Sequence, residues 1–232
     1  MVEAVWLGDY FWSYSAASEV RAALDCGADI EATNADGWTP LHLAAGLSNK
    51  PTLVALLLDR GADIRATDDD GWTALHTAAA FAVVPAVVSE LLNRGAEVNA
   101  VDENGWTALH FAAAVTSQQL MIEALLDSGA NIEATTKRGE RPIHQASALN
   151  DSPDILALLL DRGADIEATS DNGWTALHWA ATNKNPAMAR LLLERGANIE
   201  ARDIAGNTPA GIAVNANNSA ALEVFREYGA GG

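Results

Sequence analysis

A single cysteine, Cys26, stands in a chain of 232 residues. No intramolecular disulfide can form, which fits a reducing compartment, so a cytoplasmic location is expected. Bases are scarce as well. Lys and Arg number 14 against 31 Asp and Glu, and the net charge is −17. That disfavours nucleic acid and anionic membranes as partners, because both are held by Lys and Arg neutralising phosphate. A basic protein partner would be steered in, with a salt-dependent on-rate. The bland reading of the same charge is solubility. No apolar run of about 18 residues occurs, so no transmembrane helix is expected. No base precedes Arg21, which argues against a secretory leader.

The chemistry of catalysis is thin too. The glycines fall at one repeating interval rather than in a phosphate-cradling loop. The densest carboxylate run, Asp68-Asp69-Asp70, precedes a turn glycine and lacks the alternating ligand pattern of a calcium loop. An enzyme is not expected, nor is a cofactor or a metal.

What the chain has is one pattern, repeated. Asp36-Gly37-Trp38-Thr39-Pro40-Leu41-His42 is followed by Gly71-Trp72-Thr73-Ala74-Leu75-His76. Copies beginning at Gly105 and Gly173 keep the tryptophan as Trp106 and Trp174. Gly139-Glu140-Arg141-Pro142-Ile143-His144 is degenerate, and Gly206-Asn207-Thr208-Pro209 is truncated. These glycines are 34, 34, 34, 34 and 33 residues apart. A fixed period of this kind predicts stacked supersecondary units.

Residues 34–67 show what one copy encodes. Asn34-Ala35-Asp36-Gly37 predicts a turn. Thr39 stands where a helix N-cap belongs, with Pro40 at the first helical position. A short helix of about eight residues should carry Leu41, Ala44 and Ala45. A second begins near Pro51, runs through Leu53-Val54-Ala55-Leu56-Leu57-Leu58, and closes with Arg60 and Gly61. Pro85, Pro153 and Pro186 repeat the proline at the second helix start.

T-P-L-H-x-A-A followed by L-L-L-x-x-G-A-D-I resembles the ankyrin repeat. The resemblance covers nearly the whole chain. It implies an all-α fold, an ankyrin-repeat solenoid of stacked helix–turn–helix units with β-turn or hairpin fingers. One domain is expected over 1–232. Its N-terminal capping unit is 1–33, its repeats are 34–67, 68–101, 102–135, 136–169 and 170–202, and its C-terminal capping unit is 203–232. The aromatic cluster Trp6, Tyr10, Phe11, Trp12 and Tyr14 reads as the first-helix region of the N-terminal cap. The repeat 136–169 departs most from the pattern. Arg141 replaces Thr, and Gln145 and Ser147 stand where other copies are apolar or Ala, so this repeat should be the weak link.

The resemblance assigns a structural job to His42, His76, His110, His144 and His178, and the spacing agrees. Thr39 and His42 are three apart, as in a capping box with His in place of Glu. Repeats about 8–10 Å apart cannot bring these rings together on one zinc ion. Leu91, Glu97, Val98 and Asn99 resemble the pattern in which an ankyrin asparagine is hydroxylated. The other reading of Asn99 is a helix-capping residue in the turn.

The resemblance also implies a function: a non-enzymatic protein–protein interaction module, binding through a concave face lined by the fingers and first helices. The alternative is an acidic inhibitor or immunity-type protein that covers a basic site on a partner enzyme. A monomer is expected. The candidate partner-binding residues are Trp38, Trp72, Trp106 and Trp174, with Asp36, Asp69, Asp70, Glu103, Asn104 and Asp171 around them. Arg138 and Glu140 come from the basic finger, and Phe81 and Trp179 from the first helices. Rings about 8–10 Å apart leave slots between them that a partner side chain could fill. Rings flanked by carboxylates suit Arg or Lys. Duplication alone would also place Trp at the same point in four copies, and the basic finger is equally readable as drift.

Overall fold

The finger turn of each copy starts from a side chain rather than from its glycine. Asn34 Oδ1 accepts from the N–H groups of Asp36 and Trp38, and Asp68 and Asp102 do the same in their copies. The turn closes when the Asn34 N–H donates to Trp38 O at 3.1 Å, and the corresponding bonds recur in every later finger. These are tight hairpin fingers without strands. Among the described residues the only bridge is Thr67 to Thr73. The structure is a computed structural model that describes Trp6 and residues 8–229, with Asp9 and Tyr10 described by their backbone alone.

Fourteen helices follow in pairs among the described residues. They are α1 (Asp9–Tyr14) and α2 (Ala17–Asp25), α3 (Pro40–Leu47) and α4 (Pro51–Asp59), α5 (Ala74–Phe81) and α6 (Pro85–Asn93), and α7 (Ala108–Val115) and α8 (Gln119–Asp127). Next come α9 (Pro142–Leu149) and α10 (Pro153–Asp161), α11 (Ala176–Ala180) and α12 (Pro186–Glu194), and α13 (Pro209–Asn215) and α14 (Ser219–Glu227). The eight residues of α3 and the proline opening α4 match the sequence expectation. Each second helix ends on a glycine in the left-handed region. At Gly61, φ is 93°, and the Gly61 and Ala62 N–H groups return to Leu58 O and Leu57 O, the double bond of a Schellman cap.

The chain divides into two units. The first runs to Leu109 and takes in Leu120–Ala130; the second comprises His110–Gln119 and the residues from Asn131 on. In the first unit α1 packs on α3 and α3 on α5, while α2 packs on α4 and α4 on α6. In the second, α9 packs on α11 and α11 on α13, while α10 packs on α12 and α12 on α14. Small residues make this possible. Ala44, Ala45, Ala78 and Ala79 are fully buried between first helices, with Leu53, Leu57, Val87 and Leu91 filling the second layer. Among the described residues no helix is long and apolar enough to cross a membrane.

The N-terminal unit is closed by its aromatic residues. Trp6 and Trp12 are buried, and their ring centroids lie 5.0 Å apart with Phe11 against both. Trp6 Nε1 donates to Asp29 O and Trp12 Nε1 to Trp6 O, so neither indole is left polar and dry. Tyr14 points to solvent, and the Tyr10 side chain lies outside the described residues.

Candidate functional site

The histidines are staples between repeats. The Thr39 N–H donates to His42 Nδ1, as the capping-box spacing predicts. A backbone N–H can only donate, so Nδ1 is unprotonated and the proton sits on Nε2. Nε2 then donates to Trp72 O, 2.9 Å away in the next finger. His76, His144 and His178 repeat the arrangement, donating to Ala100 O, Ala168 O and Asn207 O. His110 Nε2 donates to Glu140 O. Both ring nitrogens of those four are engaged, and burial pulls each below its ordinary pKa, partly offset by the carbonyl it serves. The replacement of Thr by Arg141 leaves this half-box intact, because the bond uses only the backbone.

A second staple runs along the outer turns. Glu31 Oε1 accepts from the Asp63 N–H, Glu133 Oε1 from Asp165, and Glu167 Oε1 from Asn198. Asn99 stands at the same register, and its amide donates to Gly129 O at 3.0 Å. This is a bond between repeats rather than the helix cap that the sequence suggests for Asn99.

The tryptophans occupy finger ends in both units. In the first unit Trp38, Trp72 and Trp106 are half-buried. The slot expected between Trp38 and Trp72 is not empty. Phe81, the last residue of α5, fills it, with its ring centroid 5.9 Å from Trp38 and 6.0 Å from Trp72, and it is stacked on the latter at 25°. The ring lies over Gly46, where a Cβ would come within 3.6 Å of it, and remains 49% exposed. The chain thus supplies its own intercalating side chain, and what it offers outward is a three-ring cluster. Asp36, Asp69, Asp70, Glu103 and Asn104 are exposed on the adjoining finger tips. The Asp69 carboxylate lies against Gly37, the residue before Trp38.

In the second unit Trp174 packs edge-on to Trp179 at 4.7 Å, and Trp174 Nε1 donates to Asp203 Oδ2. Hydrogen bonds from Asn207, with the indole contributing, hold the Asp203 carboxyl below its usual range. Arg138 and Asp171 are exposed, and the Asp171 N–H donates to Arg138 O, tying two fingers together. Glu140 differs from the sequence expectation. It is 9% exposed and accepts from Gln145 Nε2, so it faces the interior rather than a partner. Gln145 is buried because this carboxylate satisfies it.

Sequence reasoning singled out Phe81 but missed the other apolar residues at its register. Leu47, Phe81, Val115 and Leu149 end four successive first helices. In the second unit Val115 and Leu149, both about 60% exposed, flank an open groove of about 550 Å³ that also touches Asn150 and Pro153. The signal was available, since these positions recur every 34 residues.

Comparison with known proteins agrees with this architecture. The family model "Ankyrin repeats (3 copies)" matches residues 13–102, 47–136, 79–170, 113–203 and 143–231. No curated protein sequence matches the chain. Among solved structures, the chain is similar to the ankyrin repeat domain of Bcl-3, described as a unique member of the IkappaB protein family. The two are 30% identical, with a TM-score of 0.69 over 90% of this chain and 91% of that one.

Proposed function

Because this chain belongs to the ankyrin-repeat family, whose repeats serve as protein–protein interaction modules, we propose that it is a non-enzymatic binding protein whose partner docks on the fingers and first helices. The observation that carries the reading is Phe81. A phenyl ring half exposed at a helix end, yet held in place by Trp38, Trp72 and Gly46, is pre-ordered, so a partner loses little side-chain entropy by packing on it. Anchored aromatic groups of this kind dominate interface energetics, at about 2 kcal/mol or more on truncation.

The partner surface is basic in this reading. The first unit's finger tips carry Asp36, Asp69, Asp70 and Glu103 and no base. A guanidinium stacked on the ring cluster would meet these carboxylates at the same time. In the second unit the corresponding surface offers Trp174, Trp179 and Leu149 beside the basic Lys137-Arg138 finger. An inhibitor covering a basic active site is the electrostatic version of the same proposal. It predicts a complex that weakens steeply with salt, whereas an aromatic-led complex weakens little.

The test is quantitative capture from native lysate with the intact chain, Phe81→Ala, and a control at Glu194→Ala on α12. Phe81→Ala should lose specific partners, by about 2 kcal/mol or more in subsequent titrations, while the control retains them. Equal capture by all three proteins would remove the aromatic cluster from the interface.

A further inference from the structure

The carboxylate staple described above is interrupted at two places, Asn99, whose amide donates to Gly129 O, and Arg65. Residues 31, 65, 133 and 167 share a register, and three of them are glutamates that accept from a backbone N–H in the following repeat. At the fourth stands Arg65. It cannot accept, so the Glu97 N–H, which occupies the place of the Asp63, Asp165 and Asn198 N–H groups, receives no carboxylate among the described residues. Among the described residues Arg65 forms no ion pair, and this exposed residue lines a pocket of about 300 Å³ with Ile64, Thr67, Glu97, Asn99 and Val101.

We propose that this pocket is a carboxylate-binding subsite, in which an external carboxylate bridges the Arg65 guanidinium and the Glu97 N–H in the place a glutamate side chain takes in other repeats. The geometry of the interaction is already demonstrated within the molecule. Glu31 makes it at 2.8 Å and Glu133 at 2.9 Å. The guanidinium adds the charge that turns a backbone bond into an anion site, since charge-assisted bonds are roughly twice as strong as neutral ones. The Glu97 side chain does not forbid occupancy. Two of the stapled N–H groups belong to Asp63 and Asp165, which are acidic themselves and still receive a carboxylate. In a chain of net charge −17, an unpaired arginine facing a pocket is a local exception to the field around it. The ligand class is a peptide carboxylate, supplied either by a free C-terminus or by an Asp or Glu side chain. Gly71 and Thr73, on either side of Trp72, also line the pocket, but none of the rings of the Phe81 cluster does.

The experiment uses the full chain, labelled with ¹⁵N, and follows the Glu97 amide resonance. Acetate is the first probe, against chloride at equal ionic strength. Two short peptides follow, one with a free C-terminus and no acidic side chain, the other amidated and carrying one internal Glu. Acetate should shift the Glu97 amide saturably, and Arg65→Ala should lose that shift while the rest of the spectrum is retained. Whichever peptide reproduces the shift at lower concentration identifies the source. Arg65→Glu supplies the missing staple from within, so the Glu97 amide should exchange more slowly with solvent and acetate should no longer move it. A chloride-like response in the intact chain, a shift that survives Arg65→Ala, or an unchanged Glu97 exchange rate in Arg65→Glu would each overturn the proposal.

Discussion

His144 shows what a buried imidazole does in this chain. Both of its ring nitrogens are held by backbone groups. Nδ1 accepts the Arg141 N–H at 2.9 Å, and Nε2–H donates to Ala168 O at 2.9 Å. The ring is 1% exposed, so charging it would place a proton on Nδ1, break the first bond and bury an ion. The lowered pKa of His42, His76, His144 and His178 carries a sign for stability. The unfolded chain binds these protons more readily than the fold does. The contribution is complete above the ordinary value of 6.5 and is lost as pH falls through the lower folded values. Imidazole ¹⁵N spectra should therefore show His144 titrating below the ordinary histidine value of 6.5, so that the neutral Nε2–H form still predominates where a free imidazole is half charged. An imidazolium pattern there, in folded protein, would contradict the staple. His144→Ala should cost about 1–3 kcal/mol in urea titration, the range for leaving buried groups unpaired.

At the scale of the element, two glycines with nearly the same backbone separate conformational strain from steric exclusion. Gly61 ends α4 at φ 93°, and a Cβ there would meet nothing within 4 Å. Gly37 in the finger has φ 77°, and its Cβ would lie 2.7 Å from both the Asp69 N and Oδ1 atoms. The side-chain oxygen can swing away but the backbone nitrogen cannot. Gly61→Ala should cost about 1–2 kcal/mol, the strain of the left-handed region alone. Gly37→Ala should cost distinctly more, because one finger must move off the next. Equal losses in chemical denaturation would mean that the fingers are not packed as closely as this geometry requires.

Over whole repeats, the stretch 136–169 remains the expected weak point, for a reason more specific than its divergent motif. Where α3 buries Leu43, Ala45 and Ser48, α9 and its loop bury Gln145, Ser147 and Asn150. Each of these is bonded: Gln145 to Glu140, Ser147 to Ile143 O, and the Asn150 amide to both Ala113 O and Thr116 O. A satisfied hydrogen bond returns only about 1 kcal/mol net, while a buried leucine side chain contributes about 1.5–3 kcal/mol. The Ser147 bond to its own helix also favours bending, and the buried Arg141 Nε has no partner among the described residues. Amide exchange should be fastest, among helical residues of the second unit, in α9 and α10. Slower exchange there than in α11 and α12 would show that the polar network compensates fully.

Much of this fold is legible in the amino-acid sequence alone. The 34-residue period, the Thr-x-x-His half-box, the prolines at helix starts and the Arg-Gly stops are local instructions, each acting within a few residues of chain, so the family and the helix pairs could be read directly. The residues that cross from one repeat to the next could not. Phe81 is 43 residues from Trp38 in sequence, and only packing put its ring in the tryptophan slot. Glu140 reads as a surface charge in a basic finger until α9 brings Gln145 to it. Arg65 looks like an ordinary surface base until three glutamates in its register are seen holding the next turn. Local propensity and periodicity are properties of the chain alone. Which side chain fills a gap, and which donor is left without its acceptor, depends on what the neighbouring repeat places there.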